Sequence, residues 1–115
     1  MSRRLRRRYL ALKIVSEQHV NGRDIMDAVW KAVVQLFGEY GASQAELVLI
    51  QHGYQMKQTI LRCSHKGLDL VKTSIAAINE IQNAKASAHI LLVSGTLKAL
   101  RRRIESFKKE NVRNQ

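Results

Sequence analysis

Residues 9–15 (YLALKIV) place Leu10, Leu12 and Ile14 on one side and Tyr9, Ala11, Lys13 and Val15 on the other, the alternation of a strand. At Asn21-Gly22-Arg23-Asp24, an Asn followed three residues later by an acid marks a helix start. Ile25, Val29, Val33, Leu36 and Phe37 then recur at helical spacing, and Gly38 and Gly41 supply stop signals. Residues 45–51 (AELVLIQ) predict a second strand, His52-Gly53-Tyr54 a tight turn and 55–63 (QMKQTILRC) a third strand, hence an antiparallel hairpin. Leu68, Val71, Ile75, Ile78 and Ile81 return to helical spacing. Residues 88–93 (AHILLV) predict a fourth strand, continuous enough in apolar character to be buried on both faces. Ser94-Gly95-Thr96 interrupts it, and Leu97, Leu100, Ile104 and Phe107 form the apolar stripe of a last helix.

The order is β-α-β-β-α-β plus a C-terminal helix, which predicts an α+β fold of the ferredoxin-like or RRM-like kind, a four-stranded antiparallel sheet with two helices on one face. Strands 2 and 4 carry apolar side chains in both registers, so the second sheet face must meet the third helix, another subunit, or both. The chain of 115 residues suffices for one domain with one modest core. The expected layout is a flexible basic arm over 1–8, one domain over 9–110 and a short tail over 111–115. No stretch approaches the length of a membrane span and the start lacks an apolar signal core. A single cysteine, Cys63, excludes an internal disulfide framework and suits a reducing, cytoplasmic setting. Neither CxxC nor HExxH spacing occurs, so no structural metal or other cofactor is expected on the chain.

Charge changes the picture most. The net charge is +11, and the two ends supply nearly all of it: five arginines lie within 1–8, seven Lys/Arg against two Glu lie within 98–115, and residues 9–97 are almost neutral. Such a field attracts a polyanion: nucleic acid, an acidic membrane or an acidic protein. A membrane fits less well, because the first basic run lacks interleaved aromatics and the last helix has a narrow apolar stripe. The fold alone assigns no function. An RRM displays aromatic rings on its middle strands, whereas here the third strand has none and the first offers only Tyr9. RNA binding would therefore run through phosphates and shape.

The candidate contacts are Arg3, Arg4, Arg6, Arg7 and Arg8 in the arm, and Lys98, Arg101, Arg102, Arg103, Lys108 and Lys109 on the last helix. A solvated basic face is the plainer account of the same residues. Ser94, Gly95 and Thr96 stand between a buried strand and a helix N-terminus, a place where free N–H groups can hold an anion. The plainer account there is an N-cap by Ser94 or Thr96, and the turn is too short for a P-loop. Catalysis finds little support: His19, His52, His65 and His89 are scattered, the acids are dispersed, and Cys63 near His65 suits a buried strand-end cysteine. Met26 and Met56 suit core filling.

Three stretches together resemble a known family: Arg7-Arg8-Tyr9-Leu10, Ile60-Leu61-Arg62-Cys63-Ser64 and Val93-Ser94-Gly95-Thr96-Leu97-Lys98. In order and spacing, over roughly 6–103, they are similar to the archaeal ribonuclease P protein component 2 family, whose eukaryotic relatives serve ribonuclease P and MRP. The resemblance implies an RRM-like fold and a non-catalytic, RNA-binding subunit of the enzyme that removes 5′ leaders from precursor tRNA. Magnesium and the cleavage chemistry would belong to the RNA subunit. The implied partners are the ribonuclease P RNA, precursor tRNA near its active site, a TIM-barrel-like protein subunit and a second copy of the chain. Arg7 and Arg8 before Tyr9, and Lys98 after the Ser-Gly-Thr turn, carry the implied RNA contacts, although the nearly all-Arg segment before Tyr9 departs from the mixed sequence expected of the family. Two readings compete: a ferredoxin-like protein scaffold whose basic ends serve solubility, and an acylphosphatase-like enzyme, for which Arg23 lacks a glycine-rich cradle.

Overall fold

The structure, a computed structural model, describes residues 6–52 and 58–113, with side chains to residue 110. In chain order the elements are β1 (Arg7–Ser16), α1 (Gly22–Ala45), β2 (Val48–His52), β3 (Gln58–Ser64), α2 (Leu68–Ala76), β4 (Glu80–Ile81), β5 (Ala84–Ser94) and α3 (Leu97–Arg113). The strands form one antiparallel sheet in the order β2-β3-β1-β5-β4. Apart from the two-residue β4, this is the ferredoxin-like α+β arrangement expected, with a C-terminal helix added.

Local chemistry explains the element ends. The Asn21 side chain accepts from the Asp24 N–H at 2.9 Å and the Asp24 carboxylate accepts from the Asn21 N–H at 3.2 Å, a reciprocal capping box that starts α1. Gly38 and Gly41 do not end that helix. Gly38 adopts φ 77° and ψ 176° and kinks it, after which Gly41, Ala42 and Ala45 are buried and carry the helix on. Burial of that last turn outweighs the propensity of two glycines to stop a helix. Leu36 and Phe37, expected on the buried stripe, lie at the kink and are 50% and 41% exposed.

Further differences concern the second half. Helix α2 stops at Ala76, so Ile78 and Ile81 reach the core from a loop and from β4. Gln82 and Asn83, with φ 53° and 63°, make a two-residue turn that returns the chain into β5 at Ala84, four residues before the expected start. Strand β1 begins at Arg7 rather than Tyr9, because Ser64 and Cys63 of β3 lie opposite Arg7 and Arg8. Gly53 and Tyr54 of the expected turn, and 55–57 of the expected third strand, lie outside the described residues.

Two cores sandwich the sheet. On one face Leu10, Leu12, Leu61 and Cys63 pack with Ile25, Val29 and Val33 of α1 and Val71 and Ile75 of α2. On the other, Ala11 and Ile60 pack against Leu100 and Ile104 of α3, with Tyr9, Ile50, Leu92 and Leu97 around them. The third helix thus lies across the second face of the sheet. Phe107, expected on the same stripe, is 38% exposed. His52 is a structural histidine: one ring nitrogen lies 3.1 Å from the Val20 carbonyl, to which it donates, and the other 2.8 Å from the Thr59 hydroxyl, from which it accepts.

Candidate nucleic-acid interface

The arginines of the chain start and the helix at its end meet at one end of the sheet, where β1 and β5 lie side by side. Antiparallel pairing sets Tyr9 opposite Ser94, so the first residues of β1 run beside the turn that leads into α3. The His65 N–H donates to the Arg6 carbonyl at 2.8 Å, which fixes the main chain just before the strand. A cavity of about 380 Å³ results, lined by Arg6, Arg7, Arg8, Tyr9, Gly95, Thr96 and Leu97. Three consecutive arginines and a helix N-terminus thus converge on one space.

The capping account of the Ser-Gly-Thr turn is the one observed there. Thr96 is the N-cap: its hydroxyl accepts from the Ala99 N–H at 3.1 Å and its carbonyl accepts from the Leu100 N–H. The Ser94 hydroxyl accepts from the Thr96 N–H at 3.4 Å. Capping uses those donors, while the Leu97 and Lys98 N–H groups, in the first turn, have no intrahelical acceptor. A Cβ on Gly95 would stand 3.6 Å from Arg8 Nη1, an ordinary contact, so glycine here opens the turn without being sterically required. Arg8 also donates to the Arg7 carbonyl at 2.9 Å.

Helix α3 holds the other expected residues. Lys98, Arg101, Arg102, Arg103 and Lys109 are exposed and Lys108 is half-buried. Two arginines are tethered on opposite flanks of the helix: Arg101 donates to the Gln51 side chain of β2 at 3.2 Å, and Arg103 to the Val93 carbonyl of β5 at 2.6 Å. Arg103 therefore has a structural task, locking α3 onto the end of β5. Arg3 and Arg4 lie outside the described residues. Sequence reasoning missed Arg62, which stands directly opposite Tyr9 on β3 and lines a second cavity of about 270 Å³ together with Arg7, Glu46 and Val48. The signal was available in the strand alternation, since Arg62 lies two positions from Ile60, on the α3 side.

Elsewhere the chemistry is sparse. Burial raises the Cys63 thiol from its ordinary 9.0 to about 11, against the opposing pull of the Arg8 charge, so it is a poor nucleophile. Among the described residues no three His, Cys, Asp or Glu side chains are placed to hold a metal ion. Arg23 is exposed at the start of α1.

Fold and charge together define the class, a small ferredoxin-like protein with a third helix across its sheet and arginines gathered at the sheet end. Residues 8–105 match the Rpp14/Pop5 family. The chain is 34% identical over 101 residues to ribonuclease P protein component 2 of Pyrococcus furiosus, spanning 88% of this chain and 84% of the relative. It is 32% identical over 97 residues to the protein of the same name from Methanosarcina mazei (84% and 82% covered), and 30% identical over 106 residues to that of Methanocaldococcus jannaschii (92% and 78% covered). The chain belongs to the Rpp14/Pop5 family, in its archaeal ribonuclease P protein component 2 branch. Its fold is also that of a chain in the yeast ribonuclease MRP structure, with a TM-score of 0.67 over the full length of both chains at 13% identity.

Proposed function

We propose that this chain is a non-catalytic protein subunit of ribonuclease P that binds the RNA subunit and supports its catalytic domain during 5′-leader removal from precursor tRNA. The observation that carries the reading is the cavity where Arg6, Arg7 and Arg8 face the first turn of α3. RNA phosphates crowded around a catalytic core repel one another, and fixed guanidinium groups lower the free energy of bringing them together. Magnesium on the RNA then has less charge to neutralise, so the protein acts by lowering the magnesium the RNA needs. Arg7, Arg8 and Lys98 are the principal contacts, with Arg6, Arg101 and Arg102 extending the basic surface along α3.

Protein partners suit the opposite side. Trp30, Leu36, Phe37 and Tyr40 of α1 are exposed apolar groups on the sheet face away from α3, with Tyr40 79% exposed. That surface favours contact with a protein, for which the TIM-barrel-like subunit is the candidate.

The test is precursor-tRNA cleavage by the reconstituted RNA subunit at low magnesium, with and without this protein and its TIM-barrel-like partner. Stimulation that weakens when Arg7, Arg8 and Lys98 are replaced by Ala supports the reading. If six basic groups neutralise phosphates, affinity falls with salt at a log–log slope of about 4–5. A salt-insensitive complex, or no stimulation with both proteins folded and paired, overturns it in favour of a protein scaffold.

A further inference from the structure

Helix α3 covers most of the sheet face that an RRM leaves open, but it does not cover all of it. Ala11, Ile60 and Leu92 lie beneath Leu100 and Ile104. One step along the strands toward the arginine end, Val48, Arg62, Tyr9 and Ser94 stand side by side on β2, β3, β1 and β5. Residues in register on adjacent antiparallel strands have Cα atoms about 4.5–5.5 Å apart, so the Tyr9 and Arg62 side chains leave the same sheet face from adjacent positions. Both are half-buried, and Val48 at the outer edge is exposed.

The two cavities flanking this row differ in chemistry. The one toward α3 gathers Arg6, Arg7 and Arg8 with no acid in its lining. The one toward β2 sets Arg7 and Arg62 beside Glu46, whose carboxylate repels a phosphate but accepts from the N–H edge of a nucleobase. Arg7 lines both. A flat apolar ring, a flat cation beside it, an acceptor on one side and a cationic cavity on the other match one nucleotide, its base toward β2 and its phosphate toward α3.

We propose that Tyr9 and Arg62 form a stacking seat for one unpaired RNA base, with Glu46 at the base edge and Arg7 and Arg8 at the phosphate. The inference rests on the ribonuclease P reading and adds to it a single-stranded contact that phosphate binding alone does not supply. The unpaired nucleotide has two sources, the RNA subunit and the leader of precursor tRNA, and stacking chemistry is common to both.

The experiment titrates the full chain into a short single-stranded oligoribonucleotide carrying 2-aminopurine, whose fluorescence is quenched by stacking. Wild type and Tyr9→Phe quench it. Tyr9→Leu, which keeps apolar packing and removes the ring, binds roughly 5- to 150-fold more weakly, the loss of one base stack, at an unchanged salt slope because no phosphate contact is lost. Arg62→Lys keeps the charge, loses the flat stacking surface and also quenches less. A folded Tyr9→Leu that binds and quenches as wild type overturns the proposal. Should Tyr9→Leu fail to fold, Arg62→Lys decides, and undiminished quenching overturns it. Binding that is steeply salt-dependent yet indifferent to both variants removes this seat alone, whereas no binding to any RNA removes the ribonuclease P reading itself. In the reconstituted complex, 2-aminopurine placed in the leader or in an unpaired segment of the RNA subunit assigns the source. Quenching that Tyr9→Leu leaves intact at both positions refutes the seat.

Discussion

The dry contact between α3 and the sheet makes a quantitative claim at Leu100, which is 0% exposed and packs on Ala11 and Ile60. Replacing it by Ala removes three carbons, at about 0.8 kcal/mol per buried methylene, or about 2.4 kcal/mol of lost burial. A cavity term adds to that in rigid cores, where Leu→Ala costs about 2.7–5.0 kcal/mol. Here one wall is a helix held by few layers of side chains, so it can settle into the gap, and the expected loss is about 2.5 kcal/mol. Equilibrium urea unfolding followed by circular dichroism should show a midpoint lower by roughly 0.8–2.5 M, given slopes of about 1–3 kcal/mol per M for small proteins. Native-state hydrogen exchange separates the parts: amides of α3 should open more readily than those of β1 and β3, because the helix can detach while the first core stays closed. Detachment also moves Lys98 and the first turn away from Arg8, so RNA affinity should fall with it. A loss below about 1 kcal/mol with unchanged protection in α3 would refute the claim that this second core is a packed, water-free contact.

Further expectations follow from packing and burial. At Gly67 a Cβ would stand 2.7 Å from the Ala45 Cα and 3.0 Å from the Ser64 Oγ, so Gly67→Ala should cost about 1–3 kcal/mol in thermal or urea unfolding, while Gly95→Ala, with its nearest neighbour at 3.6 Å, should stay within about 0.5 kcal/mol. Burial holds the Cys63 thiol neutral to about 11 against 9.0 when unfolded; its stabilising effect is complete below pH 9 and is lost as pH rises through 11, so stability should decline across that window less steeply in Cys63→Ala than in wild type. The same thiol should react with a disulfide reagent at pH 8 only at the rate of unfolding.

Much of the fold was legible because its signals are local. The alternation of Leu10, Leu12 and Ile14, the Asn21–Asp24 cap and the spacing of Val71 and Ile75 each arise within a few residues, and each appears where expected. The basic ends could likewise be seen in charge alone. What failed depended on burial. Two glycines could not stop α1 because Ala42 and Ala45 beyond them are buried, and Ile81 kept helical spacing while forming a strand, since burial accepts an apolar residue from either element. The Gln82-Asn83 turn was hidden because the pair lacks the glycine of the usual two-residue hairpin signature, and its left-handed angles show only in the folded chain.

By itself, then, the sequence determined the principal elements and their order, short of β4, together with a nearly neutral body and two cationic ends, since these depend on side-chain type and on spacing along the chain. Only the tertiary structure decided that the two ends meet. Arg8 and Gly95 are 87 positions apart, and it is the pairing of β1 with β5, strand against strand, that brings the arginine run to the start of α3. The same sheet set Arg62 beside Tyr9 and laid α3 over the neighbouring row. Charge composition specifies that a polyanion is attracted, whereas register specifies where on the surface the cationic groups gather, because register is a property of distant residues brought into contact.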